Sequence, residues 1–88
     1  MRRRYLEVTF RSGRPLAAYL YLPRPSGAKV VRTADAGRGV KIDYEAGGTP
    51  IGVEITAPAA ITAADLSAIL LSIGVDQLEP GEWAPLAA

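Results

Sequence analysis

The residues able to do chemistry in this chain of 88 amino acids are few, and they are carboxylates and tyrosines. There is no histidine and no cysteine, which removes the commonest general base, the strongest nucleophile and most transition-metal ligands. Asp43, Glu45 and Glu54 form the nearest thing to an acid cluster, the type of group that works as an acid/base pair or holds a hard cation. Acids that alternate with Val, Ile and Tyr are, however, the ordinary solvated face of an amphipathic strand. Ser12, Ser26, Ser67 and Ser72 have no imidazole to activate them. Gly37-Arg38-Gly39 is not followed by a helix that would seat a phosphate on its N-terminus. The expectation is a non-enzyme, with no cofactor and no metal.

A binding surface is the stronger reading. Tyr19, Tyr21, Arg32 and Lys41 are expected to project from the face opposite the main apolar one, with Glu7, Asp43 and Glu54 beside them. Aromatic rings next to cations on an open sheet stack bases and hold phosphates in several RNA-binding folds, and the Arg2–Arg4 run would add a basic arm. The acids on the same face would repel phosphate. Trp83, the single tryptophan, either closes over the sheet or serves as a docking residue. The candidate surface is therefore Tyr19, Tyr21, Arg32, Lys41, Glu54 and Trp83.

The elements that must position these residues follow from hydrophobic period. Leu6, Val8 and Phe10 alternate with polar residues, and so do Leu16, Ala18, Leu20 and Leu22. Ser12–Pro15 turns the chain between them, and Pro23–Gly27 is a loop, since two prolines remove two ladder donors. A third strand is expected at Lys29–Ala34. Val40, Ile42 and Tyr44, then Ile51, Val53 and Ile55, flank Gly47-Gly48 as the clearest hairpin. After Pro58 the period changes. Thr62 and Asp65 are spaced as a capping box, Leu66, Ile69, Leu70 and Ile73 share one helical face, and Gly74 suits a left-handed cap. The reading is α+β: a four- to five-stranded antiparallel meander, then one C-terminal helix over Ala63–Ile73, with an irregular tail from Asp76 to Ala88. All of it is expected to form one domain.

The net charge of +1 conceals a division. All ten basic residues lie between Arg2 and Lys41 beside only two acids, a local balance of +8, and the other seven acids follow with no base. Pairing of the two halves in one sheet is the simplest account. No stretch is apolar for the ~18 residues of a membrane span, and a soluble, cytoplasmic protein is expected. One helix ~10–12 Å wide covers about half of a sheet ~19 Å across. The rest needs the tail, strong sheet curvature or a second chain, and a partner, a copy of itself or another protein, is the favoured cover.

Val40-Lys41-Ile42-Asp43-Tyr44, the glycine turn, and Ile51-Gly52-Val53-Glu54-Ile55 resemble the signature of a family of small uncharacterised bacterial proteins. In that family a V-x-V-D-[LY] strand precedes a Gly turn and V-G-[IL]-E-[IL]. Ala17-Ala18-Tyr19-Leu20-Tyr21-Leu22 is similar to the family's A-L-Y-I-R-L strand. The resemblance spans Tyr5 to Ile61. Leu16 stands where the family has an acid, and Tyr21 where it has arginine. Family members have no established activity, and their genes often neighbour toxin-like genes. The resemblance thus implies an antitoxin-like, protein-binding module that meets a toxin-like partner, and the part of the sheet that one helix leaves open adds the expectation of self-association, as a dimer. The alternative is a small RNA- or DNA-binding module.

Overall fold

The computed structural model describes residues 3–87, the last by its backbone alone. Five strands, β1 (Tyr5–Arg11), β2 (Arg14–Tyr21), β3 (Arg32–Gly37), β4 (Val40–Tyr44) and β5 (Pro50–Ile55), form one antiparallel sheet. A 3₁₀ turn at Pro58–Ala60, helix α1 (Ala63–Ser72) and a four-residue helix α2 (Ala84–Ala87) follow. No helix among the described residues is long and apolar enough to cross a membrane.

The strand order is β1-β2-β5-β4-β3, which corrects the expected meander. The Pro-rich loop after Leu22 carries the chain past the places of β5 and β4 to the far edge. From there β3, β4 and β5 return as a local meander and seal against β2. Two of the turns are two-residue loops closed by left-handed residues: Ser12-Gly13 (φ 52° and 76°) and Arg38-Gly39 (φ 54° and 74°). Positive φ at both loop positions matches the right-handed twist of a hairpin, and glycine takes it without strain. Pro15 belongs to β2 rather than to the turn. It is tolerated because the β1–β2 register shifts there. The third strand lies three residues later than expected, at Arg32–Gly37. Lys29 and Val30 precede it as connection, and only Val31 is bonded onward, to the Tyr44 carbonyl.

One apolar cluster fills the space between sheet and helix. Leu20, Ile42, Val53 and Ile55 project from the sheet, and Leu66 and Leu70 from α1, all at or near zero exposure. The capping box forms in both directions. The Asp65 amide donates to Thr62 Oγ1 (3.0 Å), and the Thr62 amide donates to Asp65 Oδ2 (3.1 Å). Gly74 takes φ 77° after Ile73, which is the cap rather than the last helical residue.

The tail, expected to be irregular, covers the part of the sheet that α1 leaves open. Leu78, Trp83 and Leu86 pack against the core together with Leu6 and Val8 of β1, and α2 touches β1. Two polar ties hold it: the Leu78 amide donates to Ser67 Oγ (3.1 Å), and Arg4 forms an ion pair with Glu82 (2.7 Å). The chain's own C-terminal segment therefore packs on the helix side of the sheet, beside α1 and over β1.

Candidate functional site

The other side of the sheet carries the candidate residues, and the register shows how they meet. Tyr19 of β2 stands opposite Glu54 of β5, and Glu54 stands opposite Lys41 of β4. One rung along, Tyr21 and Asp43 flank Gly52, and Thr33 of β3 faces Asp43. Because cross-strand neighbours share a face, the residues from β2 to β3 form one continuous polar surface. Glu7, Thr9, Thr33, Asp35 and Lys41 on it are exposed, so no described element lies over it.

Gly52 is what lets the surface close on itself. The Tyr19 ring lies flat across it, in the space a side chain would need, and a Cβ there would overlap the Tyr19 hydroxyl and Cζ. The phenol thereby reaches past β5 and donates to Asp43 Oδ2 at 2.7 Å, while Thr33 Oγ1 donates to Oδ1 at 2.6 Å. Asp43 is left only 5% exposed, with one neutral donor on each oxygen and no ion pair among the described residues. Burial, together with the Asp43 bond and charge, pushes the Tyr19 phenol far above its usual range, so it stays a donor at any physiological pH. Burial raises the Glu54 carboxyl too. The neighbouring Asp43 charge adds to that rise, and Lys41 partly offsets it.

Beside this network the tyrosines form a ladder. Tyr5 and Tyr21 stack with ring centroids 4.5 Å apart, and Tyr19 meets Tyr21 edge-on at 4.7 Å. The Tyr21 hydroxyl donates to Glu7 Oε1 (3.1 Å), which raises its pKa. Arg24, between two prolines, sets its guanidinium 5.8 Å from the Tyr21 ring centre and donates to the Ile51 carbonyl.

Tyr19, Tyr21, Lys41 and Glu54 are thus brought together, and two of the expected residues are not. Arg32 lies on the helix side of the sheet: its partner is Tyr44, in the same row as Ile42, and its guanidinium sits 4.1 Å over the Tyr44 ring. Its expected position fails because β3 pairs with β4 so that Thr33, not Arg32, stands opposite Asp43 on the polar face. Trp83 is on the helix side as well, half-buried against the core. Of the basic run, Arg2 lies outside the described residues. Arg4 is no free arm, since it is bound to Glu82 and to the Asp76 and Gln77 carbonyls. Glu45 turns away from the acid pair and accepts from the Thr49 amide in the β4–β5 turn.

Sequence reasoning missed Arg24, Thr33 and the reason for Gly52. A glycine inside an alternating strand does signal close approach of another group, and here that group is a tyrosine from the neighbouring strand. Among the described residues no cluster of three or more carboxylates is placed to hold a metal ion. The motif residues Tyr19, Asp43, Gly52 and Glu54 converge on this one patch. No protein-family model, curated protein or solved structure matches the chain.

Proposed function

We propose that this chain is a non-catalytic protein-binding module, antitoxin-like and self-associating, whose partner surface is the polar face of the sheet. The observation that carries the reading is the Tyr5–Tyr21–Tyr19 ladder, standing in contact on a face that no element among the described residues covers. Tyrosine brings large contact area with little rotamer entropy to lose, and is enriched at interface hot spots. Asp43 and Glu54 beside it supply acceptors for a cationic or hydrogen-bonding partner side chain. The resemblance of the β4–β5 hairpin to the bacterial family supports the antitoxin-like reading, since those genes often neighbour toxin-like ones.

The nucleic-acid reading fits the same face less well. Glu7, Asp43 and Glu54 crowd the rings, while Arg32 and Arg4 are engaged elsewhere. The test is co-expression of the tagged chain with the product of its adjacent gene. A stoichiometric complex that Tyr21→Ala weakens supports the reading. Failure to form any complex, or a complex indifferent to Tyr21→Ala and Glu54→Ala, overturns it.

A further inference from the structure

The β1–β2 hairpin projects past the body of the sheet. β2 pairs with β5 only from Ala18 to Tyr21, so Arg14–Ala17 and the facing residues of β1 extend beyond the last shared rung. The projecting tip is amphiphilic. Phe10 and Leu16 are 52% and 51% exposed. Arg11 and Arg14, both exposed, stand directly opposite each other, and neither belongs to either of the two ion pairs among the described residues. Like charges opposed across a strand pair destabilise it, and an anionic surface over the tip would remove that penalty.

Such a surface lies at the other end of the same molecule. A cleft of about 530 Å³ opens where β2 leaves the sheet, lined by the buried or half-buried Leu22, Pro50, Ile73 and Val75 and by the exposed acids Asp76 and Glu79. Its third acid, Glu82, is already matched by Arg4. Asp76 and Glu79 are exposed and in neither ion pair. From Arg14 to Leu22 an extended strand runs ~26 Å, so tip and cleft lie at opposite ends of β2.

We infer that the β1–β2 tip of one copy docks into the cleft of the next, Phe10 and Leu16 on the apolar lining and Arg11 and Arg14 against Asp76 and Glu79. The inference rests on the reading of the chain as a self-associating protein-binding module and names the partner as a second copy. A duplex or a phosphate surface would answer the arginines but offer no seat for Phe10 and Leu16. The docking also gives the divided charge of the sequence a use, since the basic half and the acidic half meet between copies. A tip-to-cleft contact is heterologous. It builds open chains or rings rather than a closed two-fold dimer.

Sedimentation equilibrium of the full chain at rising concentration tests this. The wild-type mass climbs past that of a dimer and falls back with added salt. Arg11→Glu/Arg14→Glu and Asp76→Lys/Glu79→Lys each raise the apparent Kd by at least about tenfold, while an equimolar mixture of the two associates again through the restored opposite charges. All four side chains are exposed, and unchanged circular dichroism controls for folding. Tyr21→Ala, on the sheet face, leaves the assembly intact, which separates this contact from the one proposed for other partners. Any of four results overturns the inference: a wild-type chain that stays monomeric, a closed dimer insensitive to tip reversal, a mixture no better than its components, or a monomer whose tip binds phosphatidylglycerol vesicles or duplex DNA.

Discussion

Tyr19 and Asp43 sit on strands that do not touch, yet their side chains meet at 2.7 Å across the glycine between them. With Thr33 on the far side, a single carboxylate links β2, β4 and β3 over the top of β5. Gly52→Ala would force the Tyr19 ring off this path and break the bond. Overpacking and the lost hydrogen bond together should cost about 3 kcal/mol. In a Tyr19→Ala background the same change should cost under about 1 kcal/mol. Urea unfolding of the four proteins, followed by Trp83 fluorescence, measures the coupling.

Asp43→Ala leaves both hydroxyls of this bridge without an acceptor, and a loss of about 2 kcal/mol is expected. Asp43→Asn keeps one carbonyl oxygen and should lose less than the alanine variant. No loss in either variant would show that the bridge adds nothing to stability.

Two glutamates should respond to pH in opposite senses. The folded state raises Glu54, so the fold prefers its protonated form, and its unfavourable contribution appears as pH rises from the unfolded value of about 4.3 through the raised folded one. The Arg4 bond lowers Glu82, so its favourable contribution is present above about pH 4.3 and lost as pH falls through the lowered value. Glu54→Gln should then stabilise the protein at neutral pH and do nothing at pH ~3, while Glu82→Gln should destabilise it at neutral pH by an amount that shrinks as pH falls through the lowered value. Thermal melts across the acid range would show the two difference curves diverging upward in pH.

Arg4→Lys retains the charge but loses the fork that spans both Glu82 oxygens. A lysine cannot also hold the Asp76 and Gln77 carbonyls in that geometry. The expected cost is about 1–3 kcal/mol, expressed as release of the tail. Limited proteolysis should cut first within residues 76–82, and Trp83 emission should shift to the red. Cutting elsewhere would remove the clamp from the account.

Much of the scaffold was readable because its signals are local. Leu66 and Leu70 announce the buried helical stripe, Thr62 and Asp65 its start, and Gly47-Gly48 the β4–β5 hairpin. What could not be read depends on partners far along the chain. Nothing near Leu20 states that its neighbour is Val53 rather than a residue of the next strand, so the meander was the natural error. Arg32 went to the wrong face because its side is set by the register with β4, where Thr33 and not Arg32 stands opposite Asp43, and nothing in the local alternation states that register. Trp83 and Arg4 carry no local signal of their contacts, since each is defined by a segment at the opposite end of the sequence. The tyrosines and Glu54 were placed together correctly because alternation in β2 and β5 sets their face without knowledge of strand order.

The seam between β2 and β5 also has a kinetic meaning. Each flanking unit, the β1–β2 hairpin and the β3–β4–β5 meander, is built from neighbours in sequence and can form quickly on its own. Joining them brings Ala18 to Ile55, which closes a long loop before any burial between Leu20 and Val53 repays the entropy. That joining is expected to be the slow event in folding, which stopped-flow refolding followed by Trp83 fluorescence would time. Truncating Leu20 or Val53 should therefore slow folding, whereas loosening the Thr62 cap should chiefly hasten unfolding.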